Sequence, residues 1–151
     1  MLRGFYITAM VLALACMAAC AYFIDQAEVN RYDEYNHYDE DLPEGSSINY
    51  SDYSSGASEI TIVAGASTMI YFLMMTTIYI ITLVRLKTTT MKVFSIIGLS
   101  LTGIMILWDV LVIANPRNLS FDEVGPAWIF YALIMLAFSI VGTVHAFRKK
   151  V

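Results

Sequence analysis

The chain has 151 residues, of which 58% are hydrophobic and only 15% charged, with a mean hydropathy of +0.64 and a net charge of −4. Soluble domains average about 45–50% apolar residues, so this composition excludes an ordinary water-soluble domain. No nucleic-acid partner is expected, and the net charge says little until its distribution along the chain is read.

The first apolar run, Gly4 to Ile24, is long enough for a transmembrane helix, which needs roughly 20 mostly apolar residues. Ala9, Ala13, Cys16 and Cys20 recur on one helical face of it. Small residues in such stripes let membrane helices approach closely. Cys16 and Cys20 are the only cysteines and read as small, soft packing residues. A redox or metal pair is the sharper alternative, without a further His or Cys in the sequence to support it. Met1-Leu2-Arg3 ahead of the run and Ala19-Cys20-Ala21 within it also have the shape of a cleavable signal, and Met17 to Cys20 resembles a lipoprotein box. The run continues through Tyr22-Phe23-Ile24, longer than such signals, which favours a retained helix.

Asp25 to Glu59 holds ten acids and one basic residue, Arg31. Tyr32, Tyr35 and Tyr38 alternate with Asp33, Glu34, Asp39, Glu40 and Asp41. Clustered carboxylates suit a hard cation or a basic protein surface steered by charge, and the tyrosines beside acids suit sulfation. The plain alternative is a solvated loop kept outside by its charge. Gly45 to Ser58 reads as flexible.

The second span, Ile60 to Val84, is long enough to tilt and places Thr61, Gly65, Thr68 and Thr76 on a face with Phe72 and Tyr79. A short basic link, Arg85 to Lys92, leads to the third span, Val93 to Ala114. Its inner face is predicted to carry Ser95, Gly98, Thr102 and Asp109. Asp109 is the one acid inside a span, roughly 8 Å from its end at 1.5 Å per residue. A carboxylate there is either a structural acid bonded to hydroxyls or an ion, proton or partner contact. Arg117, in the loop Asn115 to Pro126, is a candidate counter-charge. The fourth span, Ala127 to Phe147, carries Ala132, Ser139, Thr143 and Ala146 in a stripe and ends in Arg148-Lys149-Lys150-Val151. That tail anchors topology; it also resembles a di-lysine retrieval signal.

The expected fold is all-α: an integral membrane four-helix bundle forming one domain. A closed barrel is excluded because the runs are long and do not alternate. Arg3, Arg85, Lys87, Lys92, Arg148, Lys149 and Lys150 fall on one side without an acid, while Arg31 and Arg117 face twelve of the thirteen acids on the other. The positive-inside rule then puts both termini in the cytoplasm and the acidic loop outside or in a lumen. Asn49-Tyr50-Ser51 and Asn118-Leu119-Ser120, two glycosylation sequons, fall in the outward loops. Trp108 and Trp128 are expected at the outer interface.

Intramembrane catalysis needs convergent ionisable groups, and Asp109 and His145 stand near opposite ends of their spans. Metalloprotease, aspartyl-protease, Cys-x-x-Cys and phosphate-loop motifs are missing. No cofactor or metal site is expected, and no enzyme activity. His145 reads as a packing residue near the basic end. Internal repeats of the transporter kind are not seen.

Four spans, small size, Arg3 before the first span, Trp108-Asp109 late in the third and the basic tail together resemble the MARVEL-domain family across the whole chain. The resemblance implies a role in membrane apposition, vesicle traffic or lipid-ordered patches; it does not account for the long acidic first loop. The claudin Trp…Gly-Leu-Trp signature and the tetraspanin Cys-Cys-Gly are missing from the loops. The expected function is a tetraspan that organises membrane lipids and partner proteins, or itself, through its acidic outward loop. The alternatives are an accessory subunit of a larger channel, transporter or respiratory complex, and a small ion or proton conductor built on Asp109.

Overall fold

The computed structural model describes the backbone of residues 2–41, 55–116, 118–119 and 121–148, and the side chains of these apart from 30–41 and 55–58. It is all-helical over these residues: α1 (Leu2–Asp41), α2 (Ser55–Arg85), α3 (Thr89–Ala114) and α4 (Phe121–Arg148). Each contains a stretch long and apolar enough to cross a membrane, namely Leu2–Val29, Glu59–Arg85, Thr89–Ala114 and Phe121–Arg148. Helix is the expected solution, because a lipid-facing backbone must satisfy every N–H and C=O within its own segment.

The helices run farther than the apolar runs that define the predicted spans. α1 does not stop near Ile24; it continues as helix through Asp41, into the segment read as loop. Good helix formers carry it on (Gln26, Ala27, Glu28), and Ala27 is wholly buried. α2 starts at Ser55, inside the stretch expected to be flexible, and α4 at Phe121, ahead of Pro126. Pro126 lies in the second turn of α4, where its missing N–H removes one rung of the ladder without ending the helix. The leading N–H of α4, on Phe121, donates instead to Thr61 Oγ1 at 3.1 Å. Asp122 and Glu123 in the first turn, and His145 and Arg148 in the last, match the helix dipole at both ends.

α1 lies beside both α4 and α2, and α2 beside α3; α3 and α4 approach less closely. The pairings are antiparallel. Ile24 near one end of α1 fits against Gly125, and Tyr6 near the other end fits against Gly142. Likewise Tyr79 of α2 fits against Gly98 of α3, and Ile113 of α3 against Gly65 of α2. Each glycine is the notch for one large side chain of the facing helix, the close approach expected of membrane helices. Between α3 and α4 the gap is spanned by rings: Phe94 stacks edge-on against Phe138, with centroids 5.4 Å apart.

The burial pattern is that of a protein surrounded by lipid. Only 22–33% of each span is buried, although all four are strongly apolar. The remainder, including Ile70, Ile104, Leu107 and Phe130, faces outward. Exposed apolar surface on this scale would drive association in water, whereas in hydrocarbon it carries no penalty.

Candidate functional site

Part of the polar content of the bundle points to its interior, while Thr8, Ser67, Thr77 and Ser100 are exposed and bond back to their own helices. Asp109 is fully buried, as are Thr61 and Thr102, and Ser95 is nearly so. Ser95, Gly98, Thr102 and Asp109 share the inner face of α3 with Met91 and Val112. The helix-packing residues Ala9, Ala13, Cys16, Cys20, Gly65 and Gly98 are also buried within the chain's own bundle.

Asp109 is held from α2. Its Oδ1 accepts a hydrogen bond from Thr68 Oγ1 at 3.0 Å. The same hydroxyl stands 3.1 Å from the Ala64 carbonyl and 3.0 Å from that of Gly65. One proton therefore faces three acceptors, and Thr68 holds the carboxylate in place without depending on it. Asp109 Oδ2 has no hydrogen-bond partner among the described residues. Gly65 permits the approach: a Cβ there would meet Ile113 Cγ1 at 2.6 Å and Asp109 Oδ1 at 3.5 Å. Of the expected counter-charge Arg117 nothing can be added, because it lies outside the described residues.

A second polar bridge lies deeper. Thr102 Oγ1 donates to the Gly98 carbonyl at 2.7 Å and stands 2.6 Å from Tyr131 Oη. Since the threonine has one proton, the consistent chain runs from the Tyr131 hydroxyl to Thr102 and on to Gly98. Tyr131 belongs to an aromatic group with Phe72 and Tyr71, at centroid distances of 5.3 and 6.3 Å. Other buried hydroxyls return to their own helices: Ser95 to Met91 O, Ser139 to Met135 O. Thr143 and Ala146, at the end of the α4 stripe, are half-buried. Among the described residues, the hydroxyls of Tyr6, Tyr71 and Tyr79, and Nε1 of Trp128, are buried without a hydrogen-bond partner.

Cys16 and Cys20 are free thiols with sulfurs 3.9 Å apart along one helix turn. Among the described residues, no group of three or more His, Cys, Asp or Glu is placed to hold a metal ion. His145 contacts Thr88 of the α2–α3 link at 3.4 Å, near the opposite end of the bundle from Asp109. The side chains of Asp33, Glu34, Asp39, Glu40 and Asp41 lie outside the described residues, although their backbone is helical, and Asn49 lies outside them entirely. Asn118 is exposed in the α3–α4 link.

One expectation is corrected. Trp108 is 41% exposed, in keeping with an interfacial ring, but Trp128 is fully buried and packs on Phe121 with centroids 5.5 Å apart. The hydrophobic gain of enclosing so large a ring wins over the interfacial preference of its N–H. The glycine notches at Gly125 and Gly142 and the tyrosine-rich core were not anticipated either. Their signal is a glycine one helix pair away from an unpaired aromatic ring, which needs the pairing of α1 with α4 to be read.

Among the described residues, the hydrogen bond that Asp109 accepts comes from the Thr68 hydroxyl. No protein-family model matches the chain, and neither the curated proteins nor the solved structures contain a match.

Proposed function

We propose that this chain is a non-enzymatic four-span membrane protein that organises the membrane patch or partner proteins around it. Both termini and the Arg85–Lys92 link face the cytoplasm in this reading, and the acidic segment after the first span is the outward contact surface. One observation carries it. The small and hydroxyl-bearing faces that could have received a partner's helix are used inside the chain's own bundle, with Ala13 and Cys20 at 0% exposure. An accessory subunit would leave such faces open for a partner to cover. Here the outward faces are mostly large and apolar, with scattered exposed hydroxyls such as Thr8, Ser67, Thr77 and Ser100 bonded to their own helices. The MARVEL-like layout of spans and charges supports the same reading. The acidic segment then meets a basic partner or a cation through exposed charges, which salt screens over about 8 Å at physiological strength.

A pull-down in mild detergent tests the proposal. Expressed alone, the protein should extract as a folded helical species and recover copies of itself or several membrane proteins in varying amounts. Recovery of one partner at fixed stoichiometry, with degradation of the chain in that partner's absence, would establish the accessory-subunit reading instead.

The unpartnered Oδ2 of buried Asp109 favours one second reading, an ion or proton conductor. It requires proteoliposomes containing the protein to pass ions or protons, and Asp109→Asn to abolish that passage with the bundle intact.

A further inference from the structure

The end of the bundle where the termini meet collects cations from every helix. Arg3 is hooked there, its Nε donating to the Ala146 carbonyl at 3.2 Å and its guanidinium lying 4.2 Å from the centre of the Phe147 ring. Arg85 lies over the Phe5 ring at 5.6 Å. The α2–α3 link is pinned beside them. Leu86 and Met91 form a small buried cluster with Tyr6, packed by Leu2, Phe94 and Ala146. Thr88 meets His145 of α4. Lys87 and Lys92 each follow one of these anchored residues, and both are exposed. The charges are therefore presented by a fixed scaffold.

Three of these cations have a local explanation. Arg85 and Arg148 sit in the last turns of α2 and α4, where a positive charge complements the helix dipole. Arg3 satisfies a terminal carbonyl of α4. Lys87, just past the α2 end where the Leu86 N–H still donates to the Thr82 carbonyl, shares the dipole explanation in part, and Lys92, in the first turn of α3, has none. They flank the start of α3, whose first turn contains no acid, and a cation at a helix start is unfavourable. The acids with described side chains, Asp25, Glu28, Glu59, Asp109, Asp122 and Glu123, belong to the opposite half of the bundle. Nothing of opposite charge on the described chain faces this end. It also stands where four apolar spans stop, which is the depth of lipid phosphates.

We propose that this end of the bundle, centred on Lys87 and Lys92 with Arg3, Arg85 and Arg148 around them, binds the headgroups of anionic phospholipids. Clustered Lys and Arg beside a span gain roughly 1 kcal/mol each from an anionic leaflet, which is roughly fivefold in affinity per charge. The inference rests on the four-span membrane reading, and not on the partner-organising role proposed with it.

The test uses the full chain in nanodiscs of phosphatidylcholine mixed with phosphatidylserine, with the co-purifying lipids counted by native mass spectrometry. Wild type should retain phosphatidylserine well above its bulk fraction. The enrichment should fall as salt is raised. K87Q/K92Q should lose most of it, roughly fivefold per lysine at low salt, and K87R/K92R should keep it. Retention at the bulk fraction in wild type would overturn the proposal, as would enrichment unchanged in K87Q/K92Q. Displacement of phosphatidylserine by inorganic phosphate at matched concentration would also overturn it, by showing a soluble-anion site. The salt titration and the arginine variant keep the result decisive if the glutamine variant does not reconstitute.

Discussion

Gly98→Ala measures how closely α2 and α3 approach. A Cβ at residue 98 would stand 2.7 Å from Tyr79 Cε1 and 3.1 Å from Cδ1 and Cζ. Carbon atoms rest at about 3.5–4.0 Å, so the deficit is roughly 1 Å against an aromatic ring that is itself only 3% exposed. A rigid ring cannot give way as the tip of a flexible side chain would, so the helices must part. Overpacking of this kind costs about 1–3 kcal/mol. Against it stands the gain of replacing a mid-helix glycine by alanine, about 1 kcal/mol. Gly103→Ala isolates that second effect, because a Cβ there meets nothing within 4 Å. Gly103→Ala should therefore be neutral or stabilising, and Gly98→Ala should be less stable than it by about 1–3 kcal/mol. The measurement is reversible denaturation in mixed micelles by sodium dodecyl sulfate, followed by circular dichroism. Adding Tyr79→Leu to Gly98→Ala should recover part of the loss as a coupling energy between the two sites. Equal stability of the two alanine variants would refute the close packing of α2 on α3.

Two further predictions concern Asp109 and topology. Thr68 has the carbonyls of Ala64 and Gly65 within reach, so losing the carboxylate strands no donor. Asp109→Asn should stay within about 1 kcal/mol of wild type and Asp109→Leu within about 2 kcal/mol, the range measured for membrane hydrogen bonds; the same micelle titration reads both, and a loss of fold in Asp109→Asn would show that the charge itself is structural. For orientation, Asn118→Cys should react with an impermeant maleimide on intact cells and Thr89→Cys only after permeabilisation, with Cys16 and Cys20 silent because they are buried; the reverse pattern would invert the proposed topology.

The four spans and their inward faces were legible because membrane helices separate small and polar residues from large apolar ones at helical spacing. Ser95, Gly98, Thr102 and Asp109 fall on one side of α3 by counting alone, and the structure buries all four. Helix ends were less legible. Hydropathy marks where lipid stops, whereas helix continues for as long as propensity and contacts support it, as through Ala27 in α1 and from Phe121 in α4. Neighbour choice was not legible at all. α1 and α4 each carry a small-residue stripe, but so do α2 and α3. Only the fit of Tyr6 to Gly142 and of Ile24 to Gly125 assigns α1 to α4. The Asp109 contact failed to show in the sequence for the same reason, since Thr68 is one hydroxyl among many on α2.

The distribution of polar groups constrains where this protein acts. Inside the bundle, hydroxyls mostly bond to their own helices, and two of the side-chain bridges between helices, Thr68 to Asp109 and Tyr131 to Thr102, tie α2 to α3 and α3 to α4. These are the helix pairs whose hold must survive where small-residue contact is weakest, between α3 and α4, and where a carboxylate must be seated, between α2 and α3. A polar group in hydrocarbon gains from any donor that finds it, so the bridges fix which helices meet as well as how tightly. Around the spans the surface is mostly apolar, its exposed hydroxyls Thr8, Ser67, Thr77 and Ser100 being bonded to their own helices. Directional chemistry is left to the two ends: acids at one, and at the other an array of cations anchored by Leu86, Met91 and the Arg3 hook. In the function proposed above, such a bundle would meet what lies above and below the bilayer through charge, and its neighbours in the bilayer through the packing of its outer faces.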